Sequence, residues 1–378
     1  MKYIAENRKR LSKTETNINF MKNIFNFLIK NDIGNPPWDY YFLQNLDEKE
    51  YPNYLAKLFN LNTGEKLPLK YDFKTNEWVI DKNKCKTFNQ KIQWIKLYGI
   101  TDLMRDCTDK IKVRDYVAEK IGSESLKPVL KICDNFDEID FNKIPNAFVI
   151  KCNHGCKWQY IIKDKKQFLN NQKLFQAVNP KITGWLEQEY WCWGGFEMQY
   201  ATSRRMESPD STLRVRTRFS EDNVNDRTKS EVNNLSERKG CQDGIEPKIL
   251  IEPLLRDEID KHPLEIEVYC FNGEPKIFVN VKYKEKREIC YYDENFNFID
   301  LLLHPDGNNK IIKEKADNLL YRTIDLSIKL SKDFSFVRVD WIIYKNQLYF
   351  NELTFTPYSG FIKFDKNWNL KLGKYMRI

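Results

Sequence analysis

The strongest constraint on the fold lies near the C-terminus, in two apolar runs, FVRVDWIIY (336–344) and QLYFNEL (347–353). Both runs are rich in β-branched and aromatic residues and only two residues separate them, so they predict an antiparallel hairpin. Asp340 and Glu352 stand inside these apolar strands. An isolated buried carboxylate is costly there unless it is paired or bound to a metal. The hairpin is therefore a candidate site as well as a structural element.

The length of the turn decides whether the two carboxylates meet. With a two-residue turn at 345–346, Asp340 would pair with Asn351, and Glu352 would face the other side of the sheet. With a three-residue loop at 345–347, or with a bulge, Asp340 would lie opposite Glu352. Only this second arrangement brings two carboxylates to one cation. Such an oxygen-only site suits Mg²⁺, whose coordination nucleotide phosphates and water normally complete.

The same carboxylates also have a purely structural interpretation. Salt bridges to Arg338 or Lys345 would satisfy them without a metal. The residues alone leave both interpretations open.

Beyond the hairpin, the residue pattern predicts helices in the first part of the chain and mainly strands after residue 147. Helices are expected over 19–30, from Thr87 onward, over 109–122 and over 315–331. The segment 34–53 is predicted to be irregular, and 72–81 to form a short hairpin. Further strands are predicted for 147–152, 158–163, 248–255, 265–271 and 275–283.

Composition limits the class of protein. The chain has 14 glycines in 378 residues, which excludes glycine-rich repeats and also a glycine-rich phosphate cradle. The net charge of +8 comes from lysines spread along the chain, so it does not predict a nucleic-acid partner. No window approaches the apolar length of a membrane span, and nine cysteines without a CxxC pair fit a reducing compartment. We therefore expect a cytoplasmic protein that has no membrane span and binds no nucleic acid.

Several common catalytic motifs are missing from the sequence. It contains no GxxxxGK(S/T), GxGxxG, GxSxG or HExxH, and no two aspartates separated by one residue. The missing DxD pair argues against a metal-dependent sugar-nucleotide transferase. Cys152, His154 and Cys156 lie too close together on an extended segment to enclose one zinc ion easily.

Two other strand ends carry candidate ligand-binding residues. Lys151 lies near the end of the run AFVIKC, which precedes a short polar turn of Asn153, His154 and Gly155. A point cation and backbone N–H groups both favour an anion, so this turn is a candidate phosphate contact. The run KILIEPLL predicts an apolar strand that ends in Glu252 and Pro253, where the acidic residue can accept a hydrogen bond from an adenine amino group. The alternative is a strand that simply ends at a proline-terminated turn.

The segment 202–246 differs in composition from the rest of the chain. It holds seven of the 16 arginines among many Ser, Asn, Asp and Glu residues, and we interpret it as a surface insertion. Within it LRVRTRF alternates strictly, so as a strand it would project Arg214, Arg216 and Arg218 from one face. This row could bind a phosphate or diphosphate group of a substrate. The alternative is a charged edge strand that resists aggregation.

Taken in order, these segments resemble the teichuronopeptide-biosynthesis (TupA-like) family of ATP-grasp amidoligases. The resemblance runs through TFNQKIQWIKLY, TDKIKVRDYVAEKIG, IPNAFVIKCNHG, KILIEPLL, CFNGEPK, YDENFNF, SKDFSFVRVDWI, YFNELTFTPYSGF and NWNLKLG. It covers residues 86–378 apart from the insertion. It implies an α+β ATP-grasp fold, in which two subdomains grip ATP between them.

The resemblance also implies a domain organisation. Residues 1–85 would be an N-terminal extension of helical or mixed structure, and 86–146 a helical segment leading into the fold. Residues 147–250 would form the small subdomain with the arginine-rich insertion. Residues 251–378 would form the large C-terminal subdomain.

The resemblance assigns a role to each candidate site residue. Those that would bind ATP are Lys110, Lys151, Asn153, His154, Gly155, Glu252, Leu255 and Glu258. Among them, Lys110, placed in the helix over 109–122, and Lys151 are similar to the phosphate lysines, and 153–155 to the mobile loop over the phosphates. Glu252 and Leu255 resemble the adenine hinge, and Glu258 a ribose contact. Asp340 and Glu352 match the metal ligands, and Arg338 and Lys151 would be catalytic, with Arg338 facing the transferred phosphoryl group.

The implied reaction uses ATP and Mg²⁺ to join a substrate carboxylate to an amine through an acyl phosphate. The expected substrates are a uronic acid, either as a sugar or as a phosphate- or nucleotide-linked sugar, and a small amine, in capsule or surface-polysaccharide synthesis. The alternatives are an ATP-grasp phosphotransferase, a sugar-nucleotide glycosyltransferase of the same pathway, and an inactive nucleotide-binding scaffold.

Three positions depart from the family pattern. Thr354 stands where the hairpin of relatives has an asparagine, which weakens a second metal site. Glu267 stands where many relatives have a lysine. Lys157 follows the turn at 153–155 in place of a second small residue and could reach a phosphate instead.

Overall fold

The helices of the protein precede, connect and cover its sheets. The computed structural model describes residues 48–188, 190, 197–202, 244–255, 263–283, 287–301 and 318–378. The α-helices of these residues are α1 (Tyr51–Thr63), α2 (Phe88–Trp94), α3 (Asp102–Thr108), α4 (Val113–Ile121), α5 (Lys165–Asn170), α6 (Gln172–Glu187), α7 (Asn318–Ser331) and α8 (Lys366–Tyr375). The predicted helix over 19–30 lies outside the described residues.

The strands of the described residues form antiparallel sheets. Their bounds are β1 (Leu69–Asp72), β2 (Glu77–Ile80), β3 (Lys131–Cys133), β4 (Phe148–Cys152), β5 (Gln159–Ile162), β6 (Ile249–Pro253), β7 (Leu264–Phe271), β8 (Glu274–Tyr283), β9 (Arg287–Asp293), β10 (Phe336–Tyr344) and β11 (Gln347–Thr354). β1 and β2 form a hairpin, β3-β6-β4-β5 a four-stranded sheet and β11-β10-β7-β8-β9 a five-stranded sheet. The described part of the chain is therefore α+β.

The five-stranded sheet has its apolar core beneath α7 and beside α2. Trp341 of β10 is fully buried, and its Nε1 donates a hydrogen bond to Ser327 Oγ of α7 at 2.8 Å. Phe88 of α2 packs edge-on against Phe271 and Phe336, with ring centroids 5.9 and 4.9 Å apart. These contacts hold β10, which carries Asp340, in a rigid layer.

The four-stranded sheet has a second core. Ile150 of β4 and Ile251 of β6 pack with Phe168 of α5 and with Val178 and Ile182 of α6. α5 and α6 cover one face of this sheet. The polar residues near the ends of β4 and β6, Lys151 and Glu252, are the candidates for contact with a ligand.

The predicted strands are confirmed to within a few residues, but two helical segments differ. The helix predicted over 109–122 begins only at Val113. α1 begins inside the segment 34–53 that was predicted to be irregular. Pro52 is tolerated there because the first turn of a helix does not need its N–H group.

The chain enters and leaves the predicted insertion at adjacent positions. Thr202 and Ile245 form an isolated parallel bridge, and Ile245 N donates to Ala201 O at 2.9 Å. Residues 203–243 lie outside the described residues.

Candidate functional site

The terminal hairpin combines a two-residue turn with a bulge. Lys345 and Asn346 form the turn, both with positive φ (49° and 60°), as a tight hairpin turn of this kind requires. Trp341 pairs with Phe350, but the next pair is Asp340 with Glu352, so Asn351 is an extra residue. The turn alone would have placed Asn351 opposite Asp340. The bulge is what brings the two carboxylates together.

One guanidinium lies among the carboxylates of this region. Arg338 Nε and Nη2 donate to Asp340 at 2.7 and 2.5 Å, and Arg338 lies 3.5 Å from both Glu352 Oε1 and Glu267 Oε2. Thr354 Oγ1 donates to Glu352 Oε1 at 3.2 Å. Asp340 therefore both pairs with Arg338 and lies opposite Glu352, so the two interpretations of the carboxylates hold together. The Asp340 side chain is 8% exposed and that of Glu352 35%, so Glu352 is the one a ligand reaches more easily.

The two carboxylates differ in pKa. Burial raises the pKa of Asp340 well above its usual value, and Arg338 only partly offsets this effect. Burial acts in the same direction on Glu352, but Arg338 and Lys110 outweigh it and lower the pKa of Glu352. Glu352 is therefore anionic at neutral pH and is available to a cation.

Lys110 lies in the turn between α3 and α4, and its predicted placement in a helix is wrong. The Asp109 carboxylate accepts hydrogen bonds from Ile111 N at 2.8 Å and from Asn153 Nδ2 at 3.0 Å, which holds the chain in a turn here. Lys110 Nζ donates to Gly155 O at 2.5 Å. Burial lowers the pKa of Lys110, and Glu352 opposes this effect, so the lysine lies within electrostatic reach of the hairpin.

The turn after β4 is held by the protein itself. Asn153 Oδ1 accepts from Lys248 N at 2.7 Å, and His154 Nε2 lies 3.1 Å from Trp185 O. A Cβ at Gly155 would lie 2.4 Å from the Trp158 ring, so only glycine fits there. The side chains of Asn153 and His154 are buried and engaged, so the turn itself can offer its backbone to a phosphate, and Lys110, which donates to Gly155 O, lies beside it. The role of this turn in covering phosphates stays a prediction.

Glu252 is surrounded by cations. Its Oε2 lies 2.7 Å from Lys151 Nζ and 3.4 Å from Lys127 Nζ, and its Oε1 lies 3.9 Å from Arg114 Nη1. Burial alone would raise the pKa of Glu252, but Lys151 and Lys127 outweigh it and lower the pKa to about 2. Burial, followed by the charge of Lys151, lowers the pKa of Lys127 to about 8. The cluster therefore carries excess positive charge.

Lys127 is a residue that the sequence analysis missed. Its Nζ also donates to Asn351 Oδ1 at 2.9 Å, so it contacts both sheets at once. The only signal in the sequence was a single lysine before Pro128 in a segment without a motif.

The remaining candidates are only partly placed. Leu255 is half-buried and lies two residues after the end of β6. Glu258 and the three arginines lie outside the described residues, the latter being Arg214, Arg216 and Arg218. Within the described residues no group of three or more His, Cys, Asp or Glu side chains could hold a metal ion. A pair such as Asp340 and Glu352 still suffices for Mg²⁺, which commonly takes one or two protein carboxylates and completes its shell with phosphate and water.

Lys127 joins the two sheets at this site, because its Nζ contacts Glu252 of the four-stranded sheet and Asn351 of the five-stranded sheet. The sequence model of the TupA-like ATPgrasp family matches residues 90–190 and 214–377. The chain belongs to the TupA-like ATP-grasp family. The predicted family and the predicted α+β ATP-grasp fold are confirmed.

Solved structures similar to this TupA-like protein include two ligases and a synthetase. D-alanine–D-alanine ligase from Bacillus anthracis shares 14% identity with a TM-score of 0.33, covering 70% of this chain and 58% of its own. N5-carboxyaminoimidazole synthetase from Staphylococcus aureus, complexed with ADP, shares 12% with a TM-score of 0.34, covering 67% and 46%. L-amino acid ligase from Bacillus licheniformis shares 10% with a TM-score of 0.34, covering 70% and 47%. The chain thus spans about half the length of these proteins.

No curated protein matches the TupA-like chain. Among its described helices, none combines the length and apolar character that crossing a membrane requires.

Proposed function

We propose that this TupA-like protein is an ATP-dependent carboxylate-amine ligase that forms an amide through an acyl phosphate. One observation carries the proposal: Lys127 joins the lysine cluster around Glu252 of the four-stranded sheet to the hairpin of Asp340 and Glu352, with its Nζ 3.4 Å from Glu252 Oε2 and 2.9 Å from Asn351 Oδ1. Lysines suit the oxygens of a nucleotide polyphosphate, and carboxylates suit the cation that accompanies it.

The reaction has two steps. A carboxylate oxygen of the substrate attacks the γ-phosphorus of ATP, the bond from that phosphorus to the β–γ bridging oxygen breaks, and ADP leaves. The amine nitrogen then attacks the carbonyl carbon of the acyl phosphate, inorganic phosphate leaves with the bonding electrons, and the nitrogen loses a proton. Both steps depend on charge neutralisation and on exclusion of water more than on a covalent nucleophile.

The described residues divide these tasks. Lys110 and Lys151 hold phosphate oxygens, and Arg338 neutralises charge on the phosphoryl group as it moves. Glu252 accepts from the adenine amino group through Oε1, which has Arg114 at 3.9 Å rather than a lysine in close contact. Leu255 packs beside the adenine. Glu258, which lies outside the described residues, would contact the ribose.

Asp340 and Glu352 would hold Mg²⁺. Two carboxylates that face each other across a bulge, one of them partly exposed, fit an ion that takes few protein ligands. When bound, Mg²⁺ supplies neutralisation of phosphate charge. Thr354 contributes a hydroxyl that orients Glu352, where an asparagine would have offered a further oxygen ligand.

We also propose a uronic-acid carboxylate and a small amine as substrates, in cytoplasmic capsule or surface-polysaccharide synthesis. The resemblance to the teichuronopeptide-biosynthesis family supports this choice of substrate. The cysteines of the described residues are free thiols, six of them buried, which supports a reducing compartment.

A substrate screen tests the reaction. The full chain is incubated with ATP, Mg²⁺, free or nucleotide-linked uronates and small amines, and ADP release is measured. ADP formation that requires both a carboxylate and an amine is the expected result. Phosphoryl transfer without an amine would instead indicate a phosphotransferase, and no turnover across a broad panel would contradict the ligase.

A paired substitution tests the metal site. Asp340→Asn with Glu352→Gln should lower the rate of ADP release by at least about 100-fold, because the charge on the transferred phosphoryl group is no longer neutralised. The matched control is Asp300→Asn, an exposed carboxylate outside the site, which should stay within about twofold of wild type. Near wild-type turnover in the paired variant would show that the carboxylate pair is not the metal site.

A further inference from the structure

Lys127 connects the two sheets at the candidate site. It lies between α4 and β3, and only 5% of its surface is exposed. Its Nζ donates to Asn351 Oδ1 of the hairpin at 2.9 Å and lies 3.4 Å from Glu252 Oε2 of β6. A single ammonium group therefore contacts a residue of each sheet.

The backbone around Lys127 is fixed on both sides. Lys127 O accepts a hydrogen bond from Arg114 Nη2 of α4 at 2.8 Å. Two residues earlier, Ser125 O accepts from Phe350 N of β11 at 2.7 Å. The segment is thus docked against β11 directly beside Asn351, and the ammonium starts from a rigid base.

Asn351 is the residue that Lys127 holds, and it is also the bulge of the hairpin. Without the bulge, the two-residue turn would place Asn351 opposite Asp340 and turn Glu352 to the other face. Bulges beside active sites commonly re-aim a side chain in this way. Whatever stabilises the bulge therefore stabilises the placement of Glu352.

We propose that Lys127 is a positioning residue for the carboxylate pair. By donating to Asn351 it keeps the bulge in place and so keeps Glu352 opposite Asp340. By sharing Glu252 with Lys151 it links this placement to the lysines on the nucleotide side. The proposal rests on the proposed function, because it assigns Lys127 to the metal and nucleotide site described above.

A purely structural connection between two sheets would not need an ammonium group. Burying a lysine is costly unless its donors are satisfied, and an apolar side chain could join the sheets at lower cost. Here the Lys127 ammonium contacts Asn351, which sets the position of Glu352. It also contacts Glu252, which pairs with the proposed phosphate lysine Lys151.

The test measures metal binding without turnover. Mn²⁺ is titrated into the full chain with a non-hydrolysable ATP analogue, and free Mn²⁺ is followed by electron paramagnetic resonance. Lys127→Met and Asn351→Ala should each weaken Mn²⁺ binding by about tenfold, as loss of a group that orients a metal ligand does. The double variant should also weaken Mn²⁺ binding by only about tenfold relative to wild type, because both changes remove the same contact.

Two controls separate positioning from general effects. Lys163→Met removes an exposed lysine just after β5 and should leave Mn²⁺ binding within about twofold of wild type. Asn351→Ala keeps every cation, so binding of the analogue without metal should also stay within about twofold. Asn351 is partly exposed, so this variant decides the matter even if Lys127→Met does not fold.

Each remaining outcome overturns the proposal in a recognisable way. If Asn351→Ala binds Mn²⁺ as wild type does, or if the double variant loses about 100-fold, Lys127 acts on the phosphates and not through the bulge. In either case the proposed function stands. If wild type binds neither Mn²⁺ nor the analogue, the nucleotide site of the proposed function is overturned, and this inference with it.

Discussion

Replacing Glu252 by glutamine should destabilise the protein strongly, because Glu252 is the carboxylate that balances a buried group of cations. Its pKa falls from 4.5 to about 2 in the folded protein. At neutral pH this corresponds to about 3 kcal/mol of stability. Removing one partner of a buried ion pair usually costs about 3 to 5 kcal/mol, a range that agrees with the value from the pKa. We therefore expect Glu252→Gln to lower the free energy of unfolding by about 3 kcal/mol at pH 7.

The pH dependence gives this prediction a second observable. Because the folded-state pKa of Glu252 is lowered, its contribution is fully present above pH 4.5 and is lost as the pH falls towards 2. The difference between wild type and variant should shrink to about 2 kcal/mol at pH 3.5. Urea unfolding followed by tryptophan fluorescence at both pH values measures it.

The control is the same substitution at an exposed ion pair of the same region. Glu246 lies 3.2 Å from Lys248, but its side chain is 71% exposed, so Glu246→Gln should cost less than about 1 kcal/mol. A Glu252→Gln variant that also loses less than about 1 kcal/mol at pH 7, or the same amount at both pH values, would refute the assignment of Glu252 as the balancing anion.

Two further predictions concern other parts of the chain. Gly373→Ala in α8 should destabilise the protein by about 1 to 3 kcal/mol, because its Cβ would lie against Lys86 O and Thr87 C of the backbone. Gly184→Ala in α6, where no atom lies within 4 Å, should stabilise by about 0.5 to 1 kcal/mol; thermal melts of both variants check this, and equal effects would contradict it. Changing Arg214, Arg216 and Arg218 together to glutamine should raise the KM of one substrate, and an unchanged affinity for every substrate would show that the row binds none.

The strands could be predicted from the sequence, but the register of the hairpin could not. β10 was predicted with its observed bounds, because β-branched and aromatic residues dominate the run and only Arg338 and Asp340 interrupt it. The bulge is nevertheless visible in the spacing of the apolar residues of β11, which a prediction from turn length alone does not consider. Leu348 and Phe350 are buried two residues apart, but the next buried residue, Leu353, comes three residues later. A change of spacing from two to three within an apolar strand marks an inserted residue.

Lys127 and the true position of Lys110 could not be predicted, for a different reason. Lys127 contacts residues 252 and 351, more than a hundred positions away in sequence, and no local pattern encodes such a contact. Lys110 was found only by resemblance. Its helix was predicted from apolar spacing, while the turn depends on the Asp109 hydrogen bond to Asn153, which is also long-range.

The charges of the two clusters explain why they belong to one site. Three cations lie around a single carboxylate on the side of the four-stranded sheet: Lys127, Lys151 and Arg114 around Glu252. Three carboxylates lie around a single arginine on the hairpin side: Asp340, Glu352 and Glu267 around Arg338. Burial lowers the pKa of Lys127, and the positive charge of Lys151 lowers it further. Burial raises the pKa of Asp340, and the negative charges of Glu267 and Glu352 raise it further. A polyphosphate would relieve the first imbalance and a divalent cation the second. Each cluster alone could be structural, but opposite imbalances on adjoining sheets match the two charges of a metal-nucleotide complex.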